Sequence, residues 1–363
     1  MGHNSFGKCF TITTWGESHG KAMGVVIDGC PAGLEISEEE INVELRKRRP
    51  GHSTYTSART ESDVVEIYSG LYEGKTTGAP ISLLIPNRDA DVSSYDTLKE
   101  IFRPGHANFT YLKKYGIFDP RGGGRASARE TVCRVAAGAI AKKLLKTQGV
   151  EILSYLKSVG SIVATTPLPE LDALVEQTRS SAFFCPDPEM EKAVIQTVLQ
   201  CKEEGDSIGG VVETIATPPV GWGEPIYEKI EALLASAMLS LPAVKGFEIG
   251  AGFAASRMQG SMHNDAYTLD AQTNIVPATN HAGGTLAGIT TGLPLQFSVA
   301  FKPTSSIRKS QKSVNIYGEA IAFQLPETAR HDPCVALRAP PIVEAMTALV
   351  LADAYLMHRM AKS

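Results

Sequence analysis

Residues 64–87 read VVEIYSGLYEGKTTGAPISLLIPN, two runs of branched and aromatic residues on either side of a polar turn that contains glycine. Such side chains suit the pleated, half-buried surface of a β-strand, and the intervening turn predicts that the two strands pair. Residues 295–302, LQFSVAFK, alternate large apolar side chains with smaller or polar ones. This period of two predicts a strand with one buried face. The strand pairs therefore favour antiparallel sheets.

Helices are predicted between these strands. Ser37 followed by Glu40 forms a capping box, and Asp187 with Pro188 forms a cap and a first turn. The predicted helices are 37–49, 126–146, 188–205, 225–241 and the segment after Pro341. Long helices mixed with hairpin-like strands predict an α+β chain rather than a regular βαβ series. No repeat, charge block or low-complexity linker interrupts residues 1–363, so a single domain is expected.

The composition excludes several classes of protein. With 35 basic and 39 acidic residues, the formal net charge of −4 gives no overall field that attracts nucleic acid or an anionic membrane. The most apolar segment, near the carboxyl end, carries Glu344 and Asp353, so no membrane-spanning run is expected. The six cysteines form no CxxC pair and no secretory signal is recognisable. This pattern predicts reduced thiols, no structural metal site and a cytoplasmic protein.

The segment DPRGGGRASARE at 119–130 is the strongest indication of a local anion site. Its three glycines expose the backbone to a ligand, and Arg121, Arg125, Arg129 and the following Arg134 supply planar forks suited to phosphate and carboxylate. A loop leading to a solvated basic helix face is the alternative. A second basic group, 46–49, is on its own typical of a helix terminus facing water. It supports the anion site only together with the first group.

Two histidines are candidates for general acid chemistry. His19 lies between glycines in TTWGESHGKAMG, and His106 lies in FRPGHANFTY. Histidine exchanges protons near neutral pH, so both are candidates for proton transfer, although either could be held for structural reasons alone.

Three further short segments contain polar side chains in defined turns. In ARHDPC, proline biases Asp332 towards an extended backbone and so could fix the direction of its carboxylate as a base; a surface ion pair with Arg330 is the alternative. KPTSS at 302–306 and NHAGGTLAG at 280–288 are either ligand-binding strand ends or plain turns. No Walker A, GxGxxG or GxSxG motif and no metal-ligand spacing is present.

Nine motifs follow one another in a specific order: GESHG, DGCPAG, RRPG, FRPGHANFTY, RGGGRASARET, AVKGFEIG, NHAGG, KPTSS and RHDPC. In this combination, which extends from about Phe6 to the last helix, the chain resembles the chorismate synthase family. The resemblance implies a βαβ sandwich with antiparallel sheets in the core and helices outside, assembled as a homotetramer. It also implies a lyase that converts 5-enolpyruvylshikimate 3-phosphate to chorismate and phosphate by a 1,4-anti elimination in the shikimate pathway of aromatic amino-acid biosynthesis.

The same resemblance implies a requirement for reduced FMN without net redox change, since the flavin lends electron density to the substrate and recovers it. NADPH would serve as the reductant if the protein reduces its own flavin; otherwise a separate reductase would supply it.

Residue roles are carried over from the resemblance position by position. His19 would donate a proton to the departing phosphate, His106 would protonate or balance charge on the reduced flavin, and Asp332 would help the central flavin nitrogen take the ring proton. The substrate anions would be held by Arg48, Arg103, Arg129 and Arg330. FMN would contact Arg125, Ala126, Ser127, Pro242, Ala243, Ala287, Lys302, Pro303, Thr304, Ser305, Ser306 and Arg330.

Four positions depart from the family pattern. Thr54 replaces a common arginine, which puts one substrate or nicotinamide contact in doubt. Ala126 replaces a common serine and leaves only its backbone amide. Ala287 and Ala329 replace glycines, so the local backbone geometry is expected to change there.

Two alternative functions remain at this level. An ordinary flavin oxidoreductase would consume reductant with each turnover. An RNA-binding module could use the two basic groups, but the net charge of −4 and the 7% aromatic content do not favour it.

Overall fold

The computed structural model describes residues 3–49, 62–88, 99–164, 170–325 and 332–361. The helices in these ranges, numbered in chain order, are α1 (Glu38–Arg48), α2 (Asn108–Tyr115), α3 (Thr131–Lys146), α4 (Leu171–Ser180), α5 (Pro188–Glu203), α6 (Ile230–Leu239), α7 (Gly260–His263) and α8 (Pro340–Ala361). The strands are β1 (Ser5–Phe6), β2 (Thr11–Gly16), β3 (Ala22–Asp28), β4 (Glu66–Ile67), β5 (Leu71–Tyr72), β6 (Lys75–Thr76), β7 (Ile81–Pro86), β8 (Ile152–Val159), β9 (Ile162–Val163), β10 (Gly210–Ala216), β11 (Val244–Ile249), β12 (Tyr267–Leu269), β13 (Ile275–Pro277), β14 (Thr285–Leu286), β15 (Ile289–Thr290), β16 (Leu295–Phe301), β17 (Gln311–Val314) and β18 (Ala320–Phe323).

The first sheet has the order β1-β2-β3-β7-β4, and every neighbouring pair is antiparallel. The pairing predicted within residues 64–87 is confirmed, because Glu66 lies opposite Leu84 and Ile67 opposite Leu83. The hairpin of β5 and β6 lies between these two strands in the chain. Alternate residues of β3 and β7 are buried, as expected for strands with one face towards the core.

The second sheet has the order β11-β16-β10-β8-β9 and is also antiparallel. The strand predicted at 295–302 is β16, which lies between β11 and β10, with Val299 opposite Val212 on one side and Phe247 on the other. Its large apolar side chains are buried. The predicted α+β class with antiparallel sheets is confirmed.

Helices α3 and α8 connect the two sheets. α3 contacts β3 of the first sheet, α8 contacts β8 and β10 of the second, and the two helices pack against each other. Both are mostly buried. Lys142 of α3 ties this pair to α1, because its ammonium donates hydrogen bonds to Glu44 (2.8 Å) and to Glu344. The implied layer order, with the sheets in the core and the helices outside, is therefore corrected: these two long helices lie inside, between the sheets.

The predicted helix caps at Ser37 and Asp187 are confirmed. Ser37 Oγ accepts a hydrogen bond from the Glu40 amide (3.3 Å), and the Glu40 carboxylate accepts one from the Ser37 amide (3.0 Å). Asp187 accepts hydrogen bonds from the Glu189 and Met190 amides at 2.9 and 3.1 Å. Both caps satisfy amides that have no partner within the helix.

Two predicted helix starts are wrong. α3 begins at Thr131 rather than Ala126, because Ser127 has an extended backbone (φ −69°, ψ 144°) between two short 3₁₀ turns. α6 begins at Ile230 rather than at residue 225.

Helix α8 corrects the expectation that no segment reaches membrane-spanning length. Its 22 residues are long and apolar enough by length and composition, despite Glu344 and Asp353. However, 78% of its most apolar window is buried inside the fold, as in the core helix of a globular protein. Asp353 has a structural function there: its carboxylate accepts hydrogen bonds from the amides of residues 8–10, so the helix anchors the chain before β2.

We predict that Gly138→Val destabilises the protein by about 1–3 kcal/mol through overpacking. A Cβ at this position would lie 2.5 Å from the Ala345 Cβ and 2.7 Å from its Cα, so α3 and α8 would have to separate. Urea unfolding at fixed protein concentration measures the change. Gly260→Val is the matched control, since a Cβ there meets no atom within 4 Å. Equal effects of the two substitutions would contradict the prediction.

Candidate active site

A cavity of about 490 Å³ collects side chains that are far apart in the sequence. Its volume is in the range of small-molecule sites. Seven chain segments meet there: the β2–β3 turn, the end of α1, the residues around the start of α2, the glycine-rich segment before α3, the segment between α6 and β11, the residues after β16 and the segment before α8. The predicted site residues in its lining are His19, Arg48, Arg103, His106, Ala126, Ser127, Arg129, Pro242, Ala243, Lys302, Thr304, Ser305, Ser306 and Asp332.

Three predicted flavin-contact residues do not line this cavity: Arg125, Ala287 and Pro303. The Arg125 guanidinium instead donates hydrogen bonds to Thr14 Oγ1 (2.6 Å) and to the carbonyls of Thr14 and Gly16 (both 3.1 Å), next to a different cavity. Arg330, together with Thr54 and Ala329, lies outside the described residues.

The structure describes two of the alanines that depart from the family pattern, Ala287 and Ala126. Ala287 lies in the turn between β14 and β15 with φ 52°, the left-handed region that glycine adopts without strain. The Ala126 amide, which was expected to remain accessible to an anion, donates a hydrogen bond to the Gly123 carbonyl at 2.9 Å. Ala126 therefore lines the cavity, but its amide is already used in the turn.

Arg48 and Arg129 share one buried carboxylate, that of Asp63. Arg48 Nη1 lies 2.8 Å from Asp63 Oδ2, and Arg129 Nη1 donates to the other oxygen. Burial alone would raise the pKa of this carboxyl, but the two guanidiniums outweigh that effect and hold the pKa below its usual range. The carboxylate, which does not itself line the cavity, thus holds two cavity-lining arginines in place and offsets one of their two positive charges.

The sequence interpretation missed Asp63. It lies in SDVVE, just before the strand pattern, and nothing in that local sequence marks it as a partner of two distant arginines. Its backbone φ of 44° is uncommon for a residue other than glycine, and the ion pairs on both carboxylate oxygens accompany this conformation.

His106 lies against the Arg103 guanidinium. Arg103 Nη2 is 3.0 Å from Nδ1 and 2.6 Å from Nε2 of the ring, and it also donates to the Gly122 carbonyl at 2.8 Å. Burial, with the positive charges of Arg103 and Lys302, lowers the pKa of His106 to about 3. The imidazole is therefore neutral at neutral pH while no anion shares the cavity.

His19 also lines this cavity, and neighbouring residues hold its ring in place. Its Nδ1 lies 3.0 Å from the buried hydroxyl of Ser18. Gly122, with φ 65°, makes room for the ring, because a Cβ there would lie only 2.6 Å from the His19 Cε1. The glycine-rich segment therefore allows both histidines to line one cavity.

Asp332 is joined to Arg338, a residue that the sequence interpretation also missed. Arg338 Nε and Nη2 lie 3.1 and 2.5 Å from Asp332 Oδ2, and both side chains line the cavity. The Asp332 carbonyl accepts a hydrogen bond from Thr304 Oγ1 at 2.7 Å, which links this segment to the loop after β16. The signal for Arg338 was its spacing of six residues from Asp332, which is too general to identify a partner.

Comparison with known proteins gives a consistent family. The family model described as chorismate synthase matches residues 10–356. A chorismate synthase of Protochlamydia amoebophila is 57% identical over 365 residues, which cover 99% of each chain. One of Porphyromonas gingivalis is 51% identical over 360 residues, 98% of this chain and 96% of that protein. A crystal structure of chorismate synthase superposes with a TM-score of 0.77 at 34% identity, covering 97% of this chain and 93% of that chain.

We predict that Asp63→Asn lowers the free energy of unfolding by about 3–5 kcal/mol, because it leaves two guanidiniums without their buried counter-charge. Urea unfolding at neutral pH measures the loss. Glu39→Gln is the control, since Glu39 pairs with Arg46 on the exposed face of α1, where solvent screening leaves such a pair little effect on stability. A loss as small for Asp63 as for Glu39 would show that the cluster is not stabilising.

We predict that His106 does not titrate between pH 5 and pH 8 in the ligand-free protein. Its folded pKa of about 3 lies below the ordinary value of 6.5, so the neutral ring is favoured and stability is lost as the pH falls from 6.5 towards 3. The histidine Cε1 proton shift, assigned with a His106→Gln variant, follows the ring. Excess inorganic phosphate should raise the pKa by adding negative charge to the cavity. A midpoint near 6.5 without phosphate would contradict the assigned electrostatics.

Proposed function

This chain belongs to the chorismate synthase family and is a phosphate-eliminating lyase, and we propose that it converts 5-enolpyruvylshikimate 3-phosphate to chorismate by 1,4-anti elimination in the presence of reduced FMN. The observation that carries this proposal is the convergence of cationic side chains from separate segments on one cavity. The substrate bears a phosphate and two carboxylates, and FMN bears another phosphate. Guanidinium and ammonium groups in a partly enclosed site are suited to bind such a pair of anions.

Arg48, Arg103 and Arg129 hold the substrate anions in this proposal. The Asp63 carboxylate restricts the first and third, and the Gly122 carbonyl restricts the second. Guanidiniums that are already oriented lose less conformational entropy when they bind an anion. Arg330 remains a predicted fourth ligand.

His19 donates a proton to the departing phosphate. Its contact with Ser18 Oγ fixes the ring orientation, and it lines the same cavity as the three arginines. Protonation of the leaving group by a positioned histidine lowers the charge that develops as the carbon–oxygen bond breaks.

His106 responds to the charge of what is bound. Its pKa is lowered by burial and by the charges of Arg103 and Lys302. Because a polyanionic ligand offsets those charges, the ring takes up a proton when the anions bind and can then donate it or balance negative charge on the reduced flavin.

The cavity fits FMN at two places. Asp332 Oδ1 is buried and has no hydrogen-bond partner among the described residues, so it can accept one from a ring N–H and assist the central flavin nitrogen in taking the ring proton. Lys302, Ser305 and Ser306 supply a cation and two hydroxyls after the end of β16, which suit a phosphate. Thr304 lines the cavity beside them, but its hydroxyl already donates to the Asp332 carbonyl. Bound reduced FMN would supply electron density to the reacting carbons and recover it.

The proposed flavin contacts also include Ala126, Ser127, Pro242 and Ala243, which line the cavity. Arg125, Pro303 and Ala287 are left out of this set because they do not line it. The RNA-binding alternative loses its physical basis, since Arg48 and Arg129 are each only 3% exposed.

A homotetramer is the assembly that we propose. Large apolar side chains are exposed on and near the β12–β13 hairpin, including Phe253, Tyr267, Leu269 and Ile275. Exposed apolar groups of this size are typical of interaction surfaces. Sedimentation equilibrium measures the assembly mass. A cytoplasmic location is also proposed, and the six free thiols accord with a reducing compartment.

The deciding experiment is an anaerobic assay with chemically reduced FMN and 5-enolpyruvylshikimate 3-phosphate. Chorismate absorbance should rise while the reduced flavin is not consumed. Stoichiometric oxidation of the flavin would instead identify an oxidoreductase. Replacing reduced FMN by FMN and NADPH shows whether the protein reduces its own flavin or requires a separate reductase.

We predict that His19→Ala and His106→Ala each lower kcat by about a hundredfold or more, the usual scale for loss of a general acid or base. Circular dichroism establishes that the variants are folded. His3→Ala is the control, since this histidine is exposed and does not line the cavity. Rates near those of the wild type in both cavity variants would remove their assigned roles.

A further inference from the structure

Arg338 lies in a short 3₁₀ turn, Val335–Arg338, between Asp332 and the start of α8. Its side chain is 15% exposed and lines the cavity. Nε and Nη2 both contact a single oxygen, Asp332 Oδ2, at 3.1 and 2.5 Å. The two donors therefore leave the other carboxylate oxygen without a partner.

We propose that Arg338 is a positioning residue that fixes the Asp332 carboxylate and directs its Oδ1, the remaining acceptor, towards an N–H group of the bound ligand. This inference rests on the proposed function, in which Asp332 assists proton transfer at the flavin. It adds a residue that acts through Asp332 rather than on the reacting atoms.

The geometry over-determines the position of Asp332. Its carbonyl is held by Thr304 Oγ1 at 2.7 Å, and the carbonyl of the next residue, Pro333, accepts a hydrogen bond from the Ile208 amide at 2.9 Å. With the backbone anchored at these two successive carbonyls, the two donors of Arg338 fix the direction of the side chain. A fixed direction matters because a small displacement of a reacting group lowers the rate strongly.

The unpaired oxygen is the second observation. Asp332 Oδ1 is buried without a hydrogen-bond partner among the described residues. Leaving a buried acceptor unsatisfied costs about 1–3 kcal/mol, more for a charged group, so this arrangement is unfavourable until a ligand donor arrives. Such a cost is typical of functional sites rather than of structural ion pairs.

The ionisable groups around Asp332 leave Arg338 as its direct electrostatic partner. The other charged groups that line the cavity with it are cations or histidines, of which Lys302 and His106 belong to the adjoining segments. The Cys334 thiol lies close by, but burial and the nearby Asp332 charge raise its pKa to about 12, so it is neutral at working pH. Removing the Arg338 guanidinium would therefore leave the Asp332 side chain without the partner that orients it.

Arg338→Gln and Arg338→Lys separate charge from geometry. Glutamine removes the charge and the two-donor fork, so we expect kcat to fall by about a hundredfold while KM changes less than about threefold. Lysine keeps the charge but lacks the fork. It should therefore restore kcat only in part.

FMN affinity, measured by flavin fluorescence, should change less than about threefold in either variant, because the residue acts through Asp332. Asp332→Asn should also lower kcat, and adding Arg338→Gln to it should cause little further loss, since the two residues act as one unit. Arg359→Gln is the control arginine: it lies on the exposed end of α8, over Tyr355, and should leave kcat and KM unchanged.

Three results would overturn the inference. The first is wild-type kcat in Arg338→Gln. The second is a lowered kcat that is fully additive with Asp332→Asn, which indicates a structural residue. The third is loss of FMN binding, which makes Arg338 an anion ligand. Failure of the proposed function is distinguishable, because the wild-type protein would then form no chorismate with reduced FMN before any variant is compared.

Discussion

The carboxylate of Asp63, enclosed between Arg48 and Arg129, is the interaction on which the site depends. A cavity that binds several anions needs several cations, and in the ligand-free protein those cations repel one another in a partly desolvated space. One buried carboxylate behind two of them offsets this repulsion without entering the cavity. It also joins the end of α1, the residues before β4 and the start of α3, so the cluster belongs to the fold as well as to the site. Binding geometry and stability are therefore coupled at this point.

The same excess of positive charge controls the chemistry of His106. In the ligand-free protein, burial together with Arg103 and Lys302 keeps the imidazole neutral. The anions that those cations attract also remove the electrostatic cost of protonating the ring. In the proposed function, proton transfer from His106 is thus linked to the presence of both ligands, because each phosphate or carboxylate would raise the pKa of the histidine. A site arranged in this way becomes acidic only when there is a substrate to receive the proton.

The sequence predicted those strands and helix starts whose signal lies within a few neighbouring residues. The alternation in β16 and the branched runs that form β4 and β7 identified antiparallel strands, and the caps at Ser37 and Asp187 identified two helix starts, because each signal lies within a few residues. The late start of α3 was missed, since the 3₁₀ turns around Ser127 contain residues that also suit a helix.

Residues whose function depends on distant partners were not predictable in the same way. Fourteen of the side chains that the motifs identified line one cavity. The motifs did not show that Arg125 points to Thr14, nor that Asp63 and Arg338 form the ion pairs of the site. Each of those contacts is decided by how separate segments pack.

The cross-links between loops explain how such a site can be both precise and assembled from loops. Arg103 reaches from the segment before α2 to the Gly122 carbonyl, and Thr304 reaches from the end of β16 to the Asp332 carbonyl. Each link joins two loops whose other ends are fixed by the buried helices or the sheets, so neither loop moves alone. Arg338 adds a side-chain contact to the second link, because its two hydrogen bonds fix the direction of the Asp332 carboxylate, which the backbone contacts alone leave undetermined. The rigid part of this site is therefore the network that holds the loops to one another, and the orientation of a reacting carboxylate follows from it.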